Sequence, residues 1–304
     1  MSHHLAGLEP ADQRRHEPAP TSPIDPAFVF DFQPIDGPDD PTAAGTGRRW
    51  STYWEVERLC RGPEPLPGWV VTDRAAIDTE LGILKTGKEA DVFVVERAVE
   101  APSGPSSVMA AKRYRAEEHR SFHRSSTYTE GRRTRNTRDA RAMAKKTRHG
   151  RAVAAGQWAM AEWEALTRFW SLGVPVPYPV QIDGSELLME LVTVDGEVAP
   201  RLAQTRPDAA LLASYFDQLR QAMAVLARNG VAHGDLSPYN VLAAGDRIVV
   251  IDLPQAVDLV GNPAGPDFLM RDCHNVCTWF LSRGLDERLA DEHALFGDLL
   301  AAAL

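Results

Sequence analysis

Two short hydrophobic segments near residue 240, and the polar side chains around them, constrain the fold of this chain more than any other feature. The sequence HGDLSPYN occupies residues 233–240, and Asp252 follows Asn240 by twelve residues. The hydrophobic residues 241–242 and 249–251 between these two positions can pair as a β-hairpin. Such a hairpin places Asn240 and Asp252 at the same end of the pair, so we expect their side chains to lie near each other.

The residue types at this end of the hairpin favour phosphoryl-transfer chemistry. Carboxylate and amide oxygens, as in Asp252 and Asn240, are the ligands that hard divalent cations prefer. Asp235, five residues before Asn240, can face the same cavity and accept a hydroxyl proton or position a nucleophile. A metal that neutralises phosphate charge and a nearby base are what phosphoryl transfer needs. The alternative is a polar turn with helix caps, which the spacing and the preceding long helix disfavour.

A second candidate site is the glycine turn KTGKEADV at residues 85–92, which lies between two predicted strands. A glycine turn exposes backbone N–H groups, and Thr86 and Lys88 add a hydroxyl and a cation, so this turn can cradle phosphates. The pattern is neither a Walker loop nor GxGxxG, and a plain hairpin turn is the alternative reading.

The third candidate is Lys112, which ends the apolar stretch MAAK at residues 109–112. A lysine on the inner face of an apolar strand needs an acidic partner. Glu162, on the following predicted helix, can supply that partner and orient the lysine toward phosphates. Taken singly, each of these residues reads as a surface residue, and it is their place between the glycine turn and the HGD segment that makes them site candidates.

The order of predicted elements indicates an α+β chain with a small sheet-rich lobe followed by a helical lobe. Helices are predicted over residues 50–60, 152–172, 208–228, 266–282 and 286–303, and strands over 80–95 (two around the glycine turn), 108–114, 186–192, 239–242 and 248–251. The domain division expected from this order is a disordered acidic, proline-rich tail (1–47), an extension packed on the small lobe (48–79), the small lobe with a basic insert (80–190) and the large lobe (191–304).

Composition excludes several classes of protein. With 304 residues, 44% of them hydrophobic and 25% charged, the chain is neither collagen-like, fully disordered nor held together by disulfides. Three cysteines in so long a chain favour a reducing compartment. Cys273, His274 and Cys277 are expected to be buried residues of a helix rather than a metal site. No apolar run reaches the roughly 18 residues of a membrane span, so we expect a cytoplasmic protein without a membrane partner.

The net charge of −9 conceals a strongly basic segment. Residues 113–151 contain 13 basic and 4 acidic side chains, whereas residues 1–47 contain 2 basic and 8 acidic ones. A concentrated basic segment can bind RNA, a ribosomal surface or a phosphorylated ligand. The alternative is a solvated charged loop.

These motifs, in this order, resemble the RIO family of atypical serine protein kinases. The resemblance covers roughly residues 69–280. It is carried by TGKEADVF (86–93), AAKRYR (110–115), GVPVPYPV (173–180), LLMELVTVDGEVAPRL (187–202), HGDLSPYNVL (233–242), IDLPQAVD (251–258) and NPAGPDFLMRDCHNV (262–276). It implies a bilobal protein-kinase-like fold with a reduced helical lobe, and a kinase or ATPase that uses ATP with Mg²⁺ or Mn²⁺. The protein substrate is unknown.

The resemblance also implies a role for each matching residue. Asp235 corresponds to the catalytic aspartate, Asn240 and Asp252 to the metal ligands, and Lys112 with Glu162 to the phosphate-orienting ion pair. Asp252 can itself be phosphorylated in an ATPase-like cycle. Nucleotide contacts are implied for the phosphate-loop residues Thr86 and Lys88, the gatekeeper Met189, the hinge residues Glu190 and Val192, and the base-sandwiching residues Ala110, Leu242 and Ile251.

Two features of the sequence bear on the resemblance. Only 52 residues follow Asp252 and they contain no Ala-Pro-Glu, whereas ordinary protein kinases need more residues there for an activation loop and a full helical lobe. The chain is therefore not expected to bind a peptide substrate as those kinases do. Pro238 and Leu253-Pro254 depart from the family pattern, but neither change removes a phosphate or metal ligand.

Two further functions remain open at this point. Small-molecule phosphotransferases of the aminoglycoside or choline kinase type also use HGDxxxxN followed by a metal-binding Asp. A nucleotide-switched module that docks on RNA or the ribosome through residues 113–151 is the other alternative, and it predicts salt-sensitive binding.

Overall fold

The computed structural model describes residues 47–115, 148–254 and 256–303, and of residues 148–153 it describes the backbone alone. The helices are α1 Arg148–Ser171, α2 Ala209–Arg228, α3 Gly265–Ser282 and α4 Glu292–Ala303. The strands are β1 Arg48–Trp50, β2 Ala76–Thr86, β3 Ala90–Val99, β4 Ser106–Tyr114, β5 Pro179–Asp183, β6 Glu186–Glu190, β7 Thr193–Val194, β8 Glu197–Val198, β9 Val231–Ala232, β10 Val241–Ala244, β11 Arg247–Val250 and β12 Val257–Asp258. None of the helices described is long and apolar enough to cross a membrane.

The small lobe consists of α1 and a six-stranded antiparallel sheet with the strand order β1-β2-β3-β4-β6-β5. Because strand side chains alternate between the two faces, Met109 and Ala111 of β4 point into the same core, where both are fully buried. Ala111 lies opposite Leu188 of β6, and α1 packs against β4, β5 and β6. Lys112, the next residue on β4, therefore points to the opposite face of the sheet from this core.

A buried ion pair and a hydrogen bond link the side chains of strands β2, β3 and β5 in this sheet. Arg97 of β3 is completely buried and donates to both carboxylate oxygens of Asp78 on β2, at 2.6 and 2.8 Å, and to the side-chain oxygen of Gln181 on β5 at 2.9 Å. Buried charges are tolerated in proteins when they are paired and hydrogen-bonded in this way.

The large lobe comprises the elements from β7 to α4. Its central helix α2 begins after Asp208, whose side chain accepts a hydrogen bond from the Leu211 N–H at 2.9 Å and so caps the helix. The apolar stripe of α2 is buried against α4, β9 and β11. The antiparallel hairpin β10–β11, with Val241 opposite Val250, confirms the predicted pairing of the two hydrophobic segments.

The prediction of a helix over residues 50–60 is wrong. Residues 48–50 instead form β1 at the sheet edge, where Trp50 lies opposite Ile77, and the only helical turn in 50–60 is the 3-10 turn Arg58–Cys60. Trp50, Trp54 and Leu59, which a helix over 50–60 would place on one packed face, are 45%, 43% and 43% exposed. No helix forms here because the open edge of β2 offers backbone hydrogen bonds to residues 48–50. In addition, Tyr53 and Cys60 are the side chains of this segment that fill the core.

The last helix also differs from its prediction, because it begins at Glu292 instead of residue 286. Asp291 accepts hydrogen bonds from the N–H groups of His293 (2.8 Å) and Ala294 (3.0 Å), which makes it the N-cap. The predicted tail at 1–47, apart from Gly47, and most of the basic segment at 113–151 lie outside the described residues. The proposed domain division stays a prediction.

Candidate active site

A cavity of about 580 Å³ separates the small lobe from the β7–β11 part of the large lobe. This volume is in the range of small-molecule and cofactor sites. Its lining combines apolar side chains with charged ones. The charged residues are Lys85, Lys88, Glu89, Lys112, Glu162, Glu190, Arg201 and Asp252.

An ion-pair network in this cavity joins three elements that are distant in sequence. The Nζ of Lys112 on β4 lies 2.7 Å from the carboxylate of Glu162 on α1 and 3.2 Å from Oδ1 of Asp252, just after β11. The predicted contact between Lys112 and Glu162 is therefore present, and Glu162 is almost completely buried.

The charges in this network control the protonation of its members. Burial disfavours the ammonium form of Lys112, but the carboxylates of Glu162 and Asp252 outweigh burial and hold the Lys112 pKa well above its ordinary value. The Lys112 ammonium in turn lowers the pKa of Asp252. Lys112 is thus a fixed cation and Asp252 a fixed anion at neutral pH.

Tyr114 is a further member of this network that the sequence analysis missed. Its buried hydroxyl donates a hydrogen bond to Oε2 of Glu162, and burial beside that carboxylate raises the Tyr114 pKa well above its ordinary value. Residues two apart on a strand share a face, so Lys112 identifies Tyr114 as a neighbour once β4 is recognised.

The loop at residues 233–240, between β9 and β10, carries Asp235 and Asn240. The Nδ2 of Asn240 donates to the backbone oxygen of Asp235 at 2.9 Å and lies 3.5 Å from its Oδ2. The Ile251 N–H donates to the Asn240 backbone oxygen at 2.9 Å, so Asn240 and Asp252 lie at the same end of the hairpin, as predicted.

Two residues that the sequence analysis did not assign to the site hold this loop in place. The Nε2–H of His233 donates to the Ile251 backbone oxygen at 3.1 Å. Asp272 of α3 is buried, and its two carboxylate oxygens accept from the N–H groups of Gly234 and Leu236, each at 2.8 Å. Burial raises the pKa of Asp272, and the two N–H donors oppose that rise. The loop is therefore held in place by Asp272 of α3 and by the backbone of Ile251, just after β11.

The glycine turn between β2 and β3 is tight. The Gly87 N–H donates to the Ala90 backbone oxygen at 3.0 Å, and a Cβ on Gly87 would approach that oxygen to 2.6 Å, so a larger residue does not fit. Lys88 lines the cavity. Thr86 does not, and its hydroxyl is instead hydrogen-bonded to Asp91.

Comparison with known proteins identifies this combination of sheet, cavity and loop. The family model of the RIO domain matches residues 91–293, which are 203 of the 304 residues. The chain belongs to the RIO family. The bilobal α+β fold expected from the resemblance is thereby confirmed.

Individual relatives give the same result. The RIO-type serine/threonine-protein kinase Rio1 of Haloferax volcanii is 36% identical over 220 residues, which cover 72% of this chain and 68% of that protein. Rio1 of Thermoplasma acidophilum is 31% identical over 42% of this chain and 66% of its own length. RIO3 of Mus musculus is 32% identical over 46% of this chain, but the match spans only 27% of that longer protein.

The cavity of this RIO domain collects ten of the thirteen predicted site residues. They are Lys88, Ala110, Lys112, Glu162, Met189, Glu190, Val192, Leu242, Ile251 and Asp252. Thr86, Asp235 and Asn240 lie outside the lining. The roles assigned to all thirteen residues stay predictions.

The hinge between the lobes offers a ligand the backbone N–H of Val192. The carbonyl of Val192 accepts from the Ala199 N–H at 2.9 Å, and the Glu190 N–H donates to the Tyr178 oxygen at 2.9 Å. Within the described residues the Val192 N–H makes no hydrogen bond. It lies at the cavity wall beside the apolar residues Met189 and Leu242, where a planar base can pack.

The three cysteines lie away from this site. Cys60, Cys273 and Cys277 are buried free thiols, as predicted for the two in α3. Burial raises the pKa of Cys273 to about 12 and that of Cys277 to about 11, so both remain protonated thiols at neutral pH.

Proposed function

We propose that this chain is a RIO-type serine kinase or ATPase that binds ATP with Mg²⁺ in the cavity and transfers the γ-phosphoryl group to a protein serine or to itself. The observation that supports this most directly is the position of Lys112, which is held between Glu162 and Asp252 inside the cavity. A lysine oriented by a buried glutamate and facing a metal-binding aspartate is the arrangement that phosphoryl transfer requires.

The nucleotide base fits the apolar part of the cavity. Ala110 on one side and Leu242 and Ile251 on the other would sandwich it, with Met189 as the gatekeeper. The Val192 N–H would donate to a ring nitrogen of the base, and the backbone at Glu190 would complete the hinge contact. Lys112 and Lys88 would then hold phosphate oxygens. Thr86, at the start of the glycine turn, would lie next to these oxygens.

The residues present fit a hard divalent cation. Asp252 supplies a carboxylate, and the side-chain oxygen of Asn240 accepts no hydrogen bond within the described residues, because its Nδ2 faces Asp235. When bound, Mg²⁺ or Mn²⁺ would neutralise phosphate charge. Asp235 is the group that would position the acceptor hydroxyl and take its proton.

The experiment is incubation of the full chain with Mg²⁺ and ATP labelled at the γ-phosphate, followed by measurement of released phosphate and of label on the protein. We expect both signals to fall at least about a hundredfold in Asp235→Asn, because the acceptor loses its base. Arg220→Gln, on the exposed face of α2, is the control and should match the wild type. Full turnover in Asp235→Asn would refute its role.

The chemical stability of the label separates the two modes of action. Label that survives acid and hydroxylamine is phosphoserine, whereas label released by hydroxylamine is an acyl phosphate, as expected if Asp252 is phosphorylated. Robust transfer to an aminoglycoside or to choline, with no label on protein, would instead support a small-molecule phosphotransferase.

A separate proposal concerns the partner and the cellular site. We expect the chain to act in the cytoplasm and its basic segment at 113–151 to contact RNA or a ribosomal surface, because the charge of that segment is concentrated and positive. RNA binding should weaken steeply with salt, and neutralising Arg132, Arg133 and Arg135 together should make the salt dependence shallower. An RNA affinity that does not change with salt concentration would refute this proposal.

A further inference from the structure

Two cations of the cavity have no part in the mechanism described above. Lys85 is the penultimate residue of β2 in the small lobe, and Arg201 immediately precedes the 3-10 turn Leu202–Gln204 in the large lobe. Both line the cavity, so they reach it from opposite lobes.

Neither side chain forms an ion pair in the part of the chain that the structure describes. The Arg201 guanidinium donates to the backbone oxygen of Tyr239, which is a dipole and carries no net charge. Two other cations in this region are paired with carboxylates. Lys112 contacts two carboxylates, and Arg247 lies 3.4 Å from Glu190.

Lys85 and Arg201 are close enough to influence each other. Partial desolvation at the cavity wall and the positive charge of Arg201 lower the pKa of Lys85, and the carboxylate of Asp252 only partly opposes this. Two like charges that face one cavity repel each other, and this repulsion raises the free energy of the protein. An anion bound between them would offset the repulsion.

We propose that Lys85 and Arg201 together bind a phosphate group of the nucleotide, as a clamp that spans the two lobes and is distinct from the Lys112–Asp252 position. The proposal rests on the proposed function for the identity of the ligand, but the anion site itself does not. A phosphate suits the pair because its several oxygens can accept from an ammonium and a guanidinium at once.

The clamp would make affinity depend on the phosphates far more than on the base. It also gives the nucleotide a means to hold the two lobes together, because one anion bridges a residue of β2 and a residue of the large lobe. Since Lys85 is solvent-exposed, its replacement should leave the fold intact.

The experiment is calorimetric titration of the full chain with ATP, adenosine and inorganic tripolyphosphate, in the wild type, Lys85→Met, Arg201→Met and the double variant. We expect each single variant to bind ATP about tenfold more weakly and to bind adenosine within about twofold of the wild type. The double variant should lose less than the product of the two single losses, because both residues hold one group.

The matched control is Arg220→Met, which also removes one positive charge but does not line the cavity. It should bind all three ligands as the wild type does. A second readout is the melting temperature. Without ligand, Lys85→Met should melt no lower than the control, and its ATP-induced stabilisation should be smaller than that of the wild type.

The outcomes separate this inference from the proposed function. ATP affinity unchanged in both single variants, or ATP and adenosine weakened equally, overturns the clamp while the proposed function stands. If the wild type fails to bind ATP but binds tripolyphosphate in a manner that requires Lys85 and Arg201, the anion clamp stands and the proposed function fails. If neither ATP nor tripolyphosphate binds, both are refuted.

Discussion

The Nζ of Lys112 lies 3.2 Å from Oδ1 of Asp252, so the lysine of the small lobe directly contacts the predicted metal ligand of the large lobe. The same ammonium is held at 2.7 Å by Glu162. The two carboxylates therefore share one cation in the cavity. Asp252 would hold the metal, which would supply positive charge to the phosphates, and Lys112 is oriented toward the same place by Glu162.

Replacement of Asp252 tests this view, and the backbone decides which replacement to use. Asp252 adopts a φ of 66°, a left-handed conformation that Asn accepts and Ala does not. Asp252→Asn therefore removes the charge without adding backbone strain. We expect ATP turnover to fall at least about a hundredfold, with an unchanged circular dichroism spectrum. Turnover like that of the wild type would exclude Asp252 from the reaction.

The same pair predicts a pH dependence of stability. The pKa of Asp252 is lowered, so its contribution to folding is present above the ordinary value of 3.8 and is lost as the pH falls through the folded-state pKa. The pKa of Lys112 is raised, so its contribution is present below 10.5 and is lost only as the pH rises through the higher folded-state value.

Urea unfolding of the wild type and Asp252→Asn measures the acid limb. The difference in unfolding free energy should be positive at about pH 7 and should shrink as the pH falls below 3.8 through the lowered folded-state pKa of Asp252, where the wild-type carboxylate becomes protonated. Asp217→Asn, which breaks an exposed ion pair with Arg220, is the control and should show little difference at either pH. A constant difference for Asp252→Asn would contradict the ion pair.

Tyr114 is a positioning residue for this network, and its hydroxyl can be removed alone. Tyr114→Phe deletes the hydrogen bond to Glu162 while the 2.7 Å contact of Glu162 with Lys112 remains. We expect a stability loss of about 1–2 kcal/mol and a several-fold rise in KM for ATP, because Glu162 and with it Lys112 become less well held.

Tyr215→Phe provides the comparison. The Tyr215 hydroxyl donates to the Gly245 backbone oxygen and does not belong to the cavity. A similar stability loss without a change in KM is expected there. An equal KM effect in both variants would mean that Tyr114 acts only through general stability.

The buried pair of Arg97 and Asp78 predicts a purely structural effect. Arg97→Met removes both hydrogen bonds to the buried Asp78 carboxylate and leaves it only the longer 4.0 Å contact with Arg49, which should cost about 3–5 kcal/mol. The further change Asp78→Leu should recover part of that loss, because it removes the unpaired charge. Both quantities come from chemical denaturation. A loss under about 1 kcal/mol in Arg97→Met would contradict this view and would mean that Arg49 or solvent replaces Arg97 as the partner of Asp78.

Much of the fold and site follows from patterns that are local in sequence. The hairpin β10–β11 and the start of α2 at Asp208 depend on neighbouring residues, and both form where the sequence predicts them. Lys112 and Glu162 are fifty residues apart, but each sits on an element whose periodicity is clear, so their facing positions could be inferred from the order of strand and helix.

The tertiary structure alone decided the features in which distant segments compete or cooperate. Residues 50–60 have helical spacing, yet the free edge of β2 captures residues 48–50 as a strand. The acceptors of Arg97 are 19 and 84 residues away, and Asp272 reaches Gly234 across 38 residues. Such contacts depend on which buried groups lack a partner after the chain has packed, and no local pattern records that. The clamp of Lys85 and Arg201 belongs to the same class, since only the packed lobes bring the two charges to one cavity.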